Sequence, residues 1–506
     1  MSSILLKSYI GECFLSFSIL LQLIVNIRVI HNKKYVFPEI NKETFVQSLF
    51  ILFIVSILVQ KSLIEGSFYG SLLINDSGTK SLKIVFLMTS IFALPVLSSS
   101  FNFHKLSFFE YYNLLLISIL ALLLMISSGN LLSFYILMEM QALCYYIFAS
   151  FKRNSAFSIE AGLKYFISGS FISGFFLLGS SLIYGLLGTL NLNEIMLLVS
   201  IPLEEYNAFF LIVCQIGLFF ILSTLLFKIA CFPFHFWAAD VYEGAPLTST
   251  IVFSLFPKIA LFSFFVKIID TFLVINSSFS FGFLDLLLNF GSISVIYGSL
   301  LALNQTRVKK LIIYSSIAQT GFMVASLSIG NLNGFTSTFF FLLVYIMTSI
   351  LIWGYISYFY ENASVSSKFF NLEVKTLYLS SLENLYKYNS LICFPLVIAL
   401  FSIAGIPPFV GFLVKAMVLN VLIQSDSLYF AILLLFVSAV SVYYYIRILK
   451  VVYFEPKKNS SSNFFFFQRS NSNNFSLMVS ISTIGLIYFF FFPSSILLVS
   501  QHINLL

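Results

Sequence analysis

Charge is what this sequence most lacks. Its 506 residues include only 27 Lys and Arg and 20 Asp and Glu, a charged fraction of 9%. A soluble domain carries about 25% charged residues. A chain of this size with so little charge cannot cover a water-facing surface, which excludes an ordinary soluble enzyme, a disordered protein and a nucleic-acid binder. Cysteine is also sparse. Cys13, Cys144, Cys214, Cys231 and Cys393 stand singly in or beside apolar runs, and no CxxC occurs. Their spacing suits neither zinc nor an iron–sulfur cluster, so they read as small apolar core residues. There are four His and no helical His pair for haem. No GxGxxG, P-loop or Ser–His–Asp pattern is present. The chain itself is therefore expected to perform no redox chemistry and no hydrolysis, and to hold no metal or cofactor. The start, MSSILLKSYIGE, lacks the pattern of a transit peptide and of a cleavable signal.

Apolar residues fill the space that charge leaves. They make up 59% of the chain, and Phe alone occurs 63 times. The abundance of Phe, Ile, Tyr and Asn fits the coding bias of an AT-rich organellar genome. A spanning helix needs about 20 apolar residues. Runs of that kind lie near 9–30, 45–63, 82–100, 108–128, 130–150, 160–188, 208–239, 246–275, 280–304, 309–330, 334–360, 389–424, 428–454 and 475–500. The expected fold is an all-α polytopic membrane protein with about fourteen transmembrane helices. The net charge of +7 is spread over loops. Odd-numbered loops are the basic ones, with Arg28, Lys33 and Lys34 in the first, Lys152 and Arg153 in the fifth, Arg307, Lys309 and Lys310 in the ninth, and Lys457, Lys458 and Arg469 in the thirteenth. Even loops are neutral or acidic, as with Glu194, Glu204 and Glu205. Loop seven, with Asp240 and Glu243, and the balanced loop eleven do not help. The positive-inside rule puts odd loops on the side of synthesis and both termini opposite.

Two runs are too long for one simple span. Residues 208–239 would make about 48 Å of helix against about 30 Å of hydrocarbon, and Pro233 interrupts them. Residues 389–424 contain GIPPFVGF, in which Pro407 and Pro408 remove backbone donors and Gly405 and Gly411 permit a loop at membrane depth. Broken helices in corresponding positions suggest two inverted five-helix repeats, 108–275 and 280–454. Before them lies a three-helix segment, 1–107, and after them a C-terminal transmembrane helix within 455–506.

A charge at the centre of a spanning helix costs about 2.5–3.5 kcal/mol on insertion scales. Glu139, Lys228, Lys258 and Lys415 all sit deep in apolar runs. Static pairing is an incomplete account of them, because one acid cannot neutralise three lysines. Burial favours the neutral amine and a nearby carboxylate restores the charge, so a lysine whose partner moves is a proton switch. Arg cannot serve this way. Lys258 follows Pro257, where a break or kink is expected. Glu160 and Lys164, four apart, share a helix face and read either as a boundary ion pair or as functional. Lys309 and Lys310 read as snorkelling, and Asp285 as interfacial. His235, in PFHFW, reads as a proton relay, as a cap of a broken helix, or as packing.

The motifs SIEAGLKYFISGSFISGFFLLGSSLIYGLLGT, FKIACFPFHFWAADVYEGAPLTST, QTRVKKLIIYSSIAQTGFM and FSIAGIPPFVGFLVKAMV, followed by VYYYIRILK, resemble the chain 2 family of NADH–ubiquinone oxidoreductase, respiratory complex I. The likeness covers roughly 105–455; its fourteen-helix length looks like the bacterial, plant and protist form, and its detail looks like the plant and protist mitochondrial type. The resemblance implies an antiporter-like subunit of the membrane arm in the mitochondrial inner membrane, with both termini towards the intermembrane space. It implies that NADH, FMN, iron–sulfur clusters and ubiquinone are held by other subunits, whose redox energy drives proton translocation here. The expected partners are other membrane-arm subunits and the lipid bilayer, with cardiolipin as a candidate lipid. The family's functional glutamate falls on Glu139 and its lysines on Lys228, Lys258 and Lys415. Two positions depart from it: Ala239 stands where Pro is common, and Gln319 where His is common. Gln cannot take up a proton near neutral pH. The alternatives are a cation/proton antiporter subunit working without redox partners, and a membrane scaffold.

Overall fold

The computed structural model describes residues 8–31, 37–62, 66–104, 109–199, 208–276, 282–370, 378–383, 385–388, 390–455 and 473–503. Lys33, Lys34, Glu204, Glu205, Lys457, Lys458 and Arg469 lie outside the described residues. The helices are α1 Ile10–His31, α2 Phe37–Lys61, α3 Ser77–His104, α4 Glu110–Ile126, α5 Leu131–Ala149, α6 Ala156–Leu187, α7 Leu192–Val199, α8 Ala208–Ile229, α9 Phe236–Gly244 and α10 Leu247–Asn276. They continue with α11 Phe283–Leu303, α12 Val308–Leu327, α13 Leu332–Phe370, α14 Leu385–Tyr388, α15 Ser390–Ala404, α16 Val410–Gln424, α17 Leu428–Tyr453, α18 Asn473–Phe491 and α19 Ser494–Ile503.

Among the described residues, ten helices are long and apolar enough to cross a membrane, or eleven if the bent pair α18–α19 is one span. The chain is a polytopic, mostly helical membrane protein. Three expected spans fall outside that set: α4 has 17 residues, α15 and α16 have 15 each, and α12 carries too many polar side chains. The expected C-terminal transmembrane helix is a bent pair, two helices meeting at 93°. Pro493 stands in the gap, and its ring and missing N–H stop α18 from continuing.

The all-α expectation misses one hairpin. Strand β1, Gly66–Phe68, pairs antiparallel with β2, Leu73–Asn75. It is sewn to the α4–α5 connection by Ile74 N–H to the Ser127 carbonyl (2.7 Å) and Gly129 N–H to the Leu72 carbonyl (3.0 Å). Charge also ties α1 to α3. Lys83 Nζ on α3 lies 2.6 Å from Glu12 Oε1 on α1, and both side chains are almost wholly buried. Of the five cysteines, Cys13 faces outward and the other four are buried, so the core reading fails for Cys13.

At the centre stands α10, buried at every position from Leu247 to Ile269. It runs unbroken through Pro257, so the expected break is absent. A proline cannot donate to the carbonyl four residues back, here that of Phe253. The Tyr242 hydroxyl donates to that carbonyl instead, at 3.3 Å.

Candidate functional site

Two helix breaks and one enclosed helix position the charged side chains. The first break runs between α8 and α9, over residues 230–235, and includes Pro233. Trp237 Nε1 donates to the Phe227 carbonyl at 3.0 Å, satisfying an acceptor in the last turn of α8. Lys228 lies in that same last turn. Its Nζ is buried and has no hydrogen-bond partner among the described residues. Glu139, on α5, is the acid whose charge reaches it. Its Oε1 is likewise buried without a partner. The two groups therefore face each other's fields without a direct bond. Tyr135, Tyr146 and Tyr165 lie within electrostatic reach of the same carboxylate. Beside Lys228 is a cavity of about 10 Å³, lined by Gln141, Tyr145, Tyr165, Tyr242 and Pro257 among others. That is the lower bound of the space one water occupies.

Pro257 brings the cavity to the next lysine along. Lys258 Nζ donates to the Tyr345 hydroxyl on α13 at 2.6 Å and lies 4.1 Å from the centre of that ring. Tyr345 donates in turn to the Ser254 carbonyl at 3.3 Å. An ammonium over a ring face gains attraction when desolvated, so Tyr345 holds Lys258 with both its hydroxyl and its π face.

The second break, between α15 and α16, contains Gly405, Pro407 and Pro408. Lys415 lies on α16 and donates back across the break to the Ala404 carbonyl at 2.6 Å. A cation at a helix C-terminus is favoured by the helix dipole. Gly405 has φ +81°, a conformation that L side chains rarely adopt, and a Cβ there would stand 2.7 Å from Lys415 Cδ. At Gly411 the need is for space: a Cβ would overlap the Ser402 carbonyl oxygen.

The secondary candidates lie elsewhere. Glu160 and Lys164 form an ion pair at 2.7 Å on the exposed face of α6, with Asp240 at 3.6 Å from Lys164. His235 makes no side-chain cap to α9. Its ring packs among Phe232, Phe236 and Tyr297, and Nδ1 has no partner among the described residues. Asp285 is exposed in the first turn of α11, and Gln319 is buried in α12. Lys309 does not snorkel. Its Nζ turns inward to the carbonyls of Glu243 (3.2 Å) and Ala245 (2.8 Å), the open C-terminal end of α9. Glu243 also accepts from Arg307 Nη1 and pairs with Lys310 Nζ at 2.8 Å. Burial raises the Glu243 carboxyl, but Lys310 and Arg307 outweigh it and hold it below its ordinary value.

Three polar features are absent from the sequence reading. Tyr345 is one; nothing in FFLLVYIMTS separates it from any other core tyrosine. Lys267 is another, nine residues after Lys258 on α10. Its buried ammonium donates to the carbonyls of Ile126 (2.8 Å) and Ser128 (3.1 Å), closing the end of α4. The third is the Glu12–Lys83 pair. An unbroken scan for lysine and acid inside apolar runs, without discounting run ends, finds Lys83 and Lys267. Among the described residues no three His, Cys, Asp or Glu side chains converge as metal ligands do.

A family model described as the transmembrane part of NADH:quinone oxidoreductase and Mrp antiporters matches residues 128–441. The chain belongs to this family. All four deep charged residues and both broken helices lie inside the match. Subunit N of the NADH-quinone oxidoreductase of Pelagibacter ubique is 32% identical over 99% of both chains. Chain 2 of the NADH-ubiquinone oxidoreductase of Marchantia polymorpha is 31% identical over 98% of this chain and 97% of its own length. Among solved structures, a chain of respiratory complex I from Thermus thermophilus superposes with a TM-score of 0.76. It covers 96% of this chain and 98% of its own at 23% identity, a likeness of fold.

Proposed function

We propose that this chain conducts protons as a membrane-arm subunit of a NADH:quinone oxidoreductase, with Glu139, Lys228, Lys258 and Lys415 as the conducting groups. The observation that carries the proposal is Lys258. An ammonium sits on a helix enclosed from Leu247 to Ile269, held by a neutral hydroxyl and a π face, with no carboxylate among the described residues bonded to it. A group kept that way exchanges a proton at small cost. Lys228 and Glu139, mutually in reach but unbonded, supply a second exchange site that a shift of either side chain would switch. Glu160, Lys164 and His235 stay outside this set, since the first two face outward and the third is packed among rings.

Both near-full-length relatives named above are redox-complex subunits, which favours this reading over an antiporter working without redox partners. NADH, FMN, iron–sulfur clusters and ubiquinone belong to other subunits on this reading. Counting α4, α12 and the broken pair α15–α16 with the eleven apolar spans gives fourteen crossings. These divide as 1–107, the inverted repeats 108–275 and 280–454, and 455–506. The Marchantia likeness and the AT-biased composition favour the plant or protist mitochondrial type. The inner membrane, cardiolipin as a bound lipid and termini towards the intermembrane space follow from that placement. The test is purification of the tagged chain in mild detergent. The proposal expects it to arrive with NADH:quinone reductase activity. Recovery with cation/proton exchange activity and no NADH oxidation supports the antiporter instead.

A further inference from the structure

We propose that Lys267 is a positioning residue for proton conduction: its ammonium pins the α4–α5 connection to α10 and so holds Glu139 level with Lys258. The proposal rests on the conducting reading of those two residues. Lys267 lies nine residues after Lys258 on the same helix and is buried. Its Nζ donates at 2.8 Å to the carbonyl of Ile126, the last residue of α4, and at 3.1 Å to that of Ser128. Both acceptor residues are buried, where a carbonyl needs a donor, and a cation is favoured at a helix C-terminus. The same connection is held from two other sides. From the hairpin, Ile74 N–H donates to the Ser127 carbonyl at 2.7 Å, and the Leu72 carbonyl accepts from Gly129 N–H at 3.0 Å. From the start of α7, Leu192 N–H donates to the Gly129 carbonyl at 3.0 Å, and the Leu190 carbonyl just before it accepts from Leu131 N–H at 3.1 Å. Lys267 supplies the tie to α10.

Two ring contacts give the register of α5 against α10. Phe134 stacks on Phe264 with ring centres 3.4 Å apart, and the Tyr145 and Phe253 rings lie 5.0 Å apart. Eleven residues forward on α5 therefore match eleven residues back on α10, so the two helices run antiparallel in step. Glu139, five residues past Phe134, is level with Ile259, five residues before Phe264 and next to Lys258. The two conducting groups thus share one depth, within about 1.5 Å, the rise of one residue. By the same register Lys267 is level with Leu131, the first residue of α5. Ring contacts are apolar and have no strong direction, so they tolerate sliding. Two hydrogen bonds from one ammonium to carbonyls two residues apart do not. The clamp and Lys258 stand on one helix, so the clamp fixes the depth of Glu139 relative to Lys258. A small misplacement of a proton-exchanging group from a distant change is enough to lose rate.

The test compares the parent, Lys267→Met, Lys267→Gln, Lys267→Arg, Glu139→Gln and the double variant Lys267→Met/Glu139→Gln as intact complexes in sealed vesicles. Protons moved per electron pair are read beside uncoupled NADH:quinone reduction. The proposal expects Lys267→Met and Lys267→Gln to lower the proton ratio in an assembled complex. The double variant should pump no less than Glu139→Gln alone, because Lys267 acts through Glu139. Lys267→Arg keeps the charge and the donors but cannot give up a proton, so it should restore the parent's ratio. A full ratio in either assembled neutral variant overturns the proposal. A further fall in the double variant also overturns it, since a general structural loss adds to that of Glu139→Gln. A ratio in Lys267→Arg as low as in Lys267→Met overturns it as well, because it makes Lys267 a group that must release its own proton. If neither neutral variant assembles, Lys267→Arg decides by the same criterion. A full ratio in Glu139→Gln instead overturns the conducting role of Glu139, on which the positioning depends.

Discussion

Tyr242→Phe tests how α10 stays helical at Pro257, beside the lysine that matters most. The substitution removes one hydroxyl and leaves a ring of the same shape. The Phe253 carbonyl then loses the hydroxyl that donates to it, and Pro257 has no N–H to offer in its place. Both residues are buried, so water does not replace the bond. A buried carbonyl left unsatisfied costs about 1–3 kcal/mol. In a Pro257→Ala background the new N–H reaches the same carbonyl, and the loss of the hydroxyl leaves no orphan. The Tyr242→Phe cost should then fall by about 0.5–3 kcal/mol, the coupling expected of groups that share one partner. The assay is the half-life of the assembled complex at a fixed elevated temperature, read from intact particles and from NADH:quinone reductase activity. For an irreversible membrane assembly such a rate is the meaningful stability. Equal losses in both backgrounds, within about 0.3–0.5 kcal/mol, would refute the account.

Three further outcomes are expected. Gly405→Ala should displace Lys415 and cut proton pumping, since φ +81° and the 2.7 Å approach to Cδ oppose any Cβ; Gly485→Ala, with no neighbour nearer than 3.8 Å, is the control and should pump normally. Glu139→Gln and Lys228→Met should each impair proton-coupled quinone reduction, and the double variant should lose less than the sum, because each single leaves an unmatched group; strict additivity would remove the coupling. Glu243→Gln should destabilise the complex at neutral pH, because Arg307 and Lys310 favour the carboxylate. The depressed value of Glu243 means that this advantage is present above the ordinary carboxylate range and lost as pH falls through the folded value. Parent and variant should converge in acid, and a difference that grows below pH 4 would contradict the sign.

What the sequence makes legible is what lipid makes costly. Lys228, Lys258, Lys415 and Glu139 stand out because an ionised group in an apolar run has few excuses, and the break at Gly405–Pro408 stands out because two prolines remove two donors. What stays hidden depends on a partner far along the chain. Pro257 looks like a break until Tyr242 is seen to take the freed carbonyl. Lys309 looks like a snorkelling end residue, yet the open end of α9 draws it inward. Lys83 sits six residues into its helix, where a charge passes for interfacial, and only the fold, with α2 packed against both α1 and α3, brings Glu12 to it. Tyr345 carries no mark at all, since its role rests on which face of α13 meets α10.

The central claim is that a proton passes over Lys258. Its most direct test is the number of protons moved per electron pair by assembled Lys258→Ala complexes in sealed vesicles, measured beside the parent at matched NADH:quinone reductase rate. The account predicts a normally assembled complex with a lower proton ratio. An assembled Lys258→Ala complex that pumps the parent's full complement would contradict it.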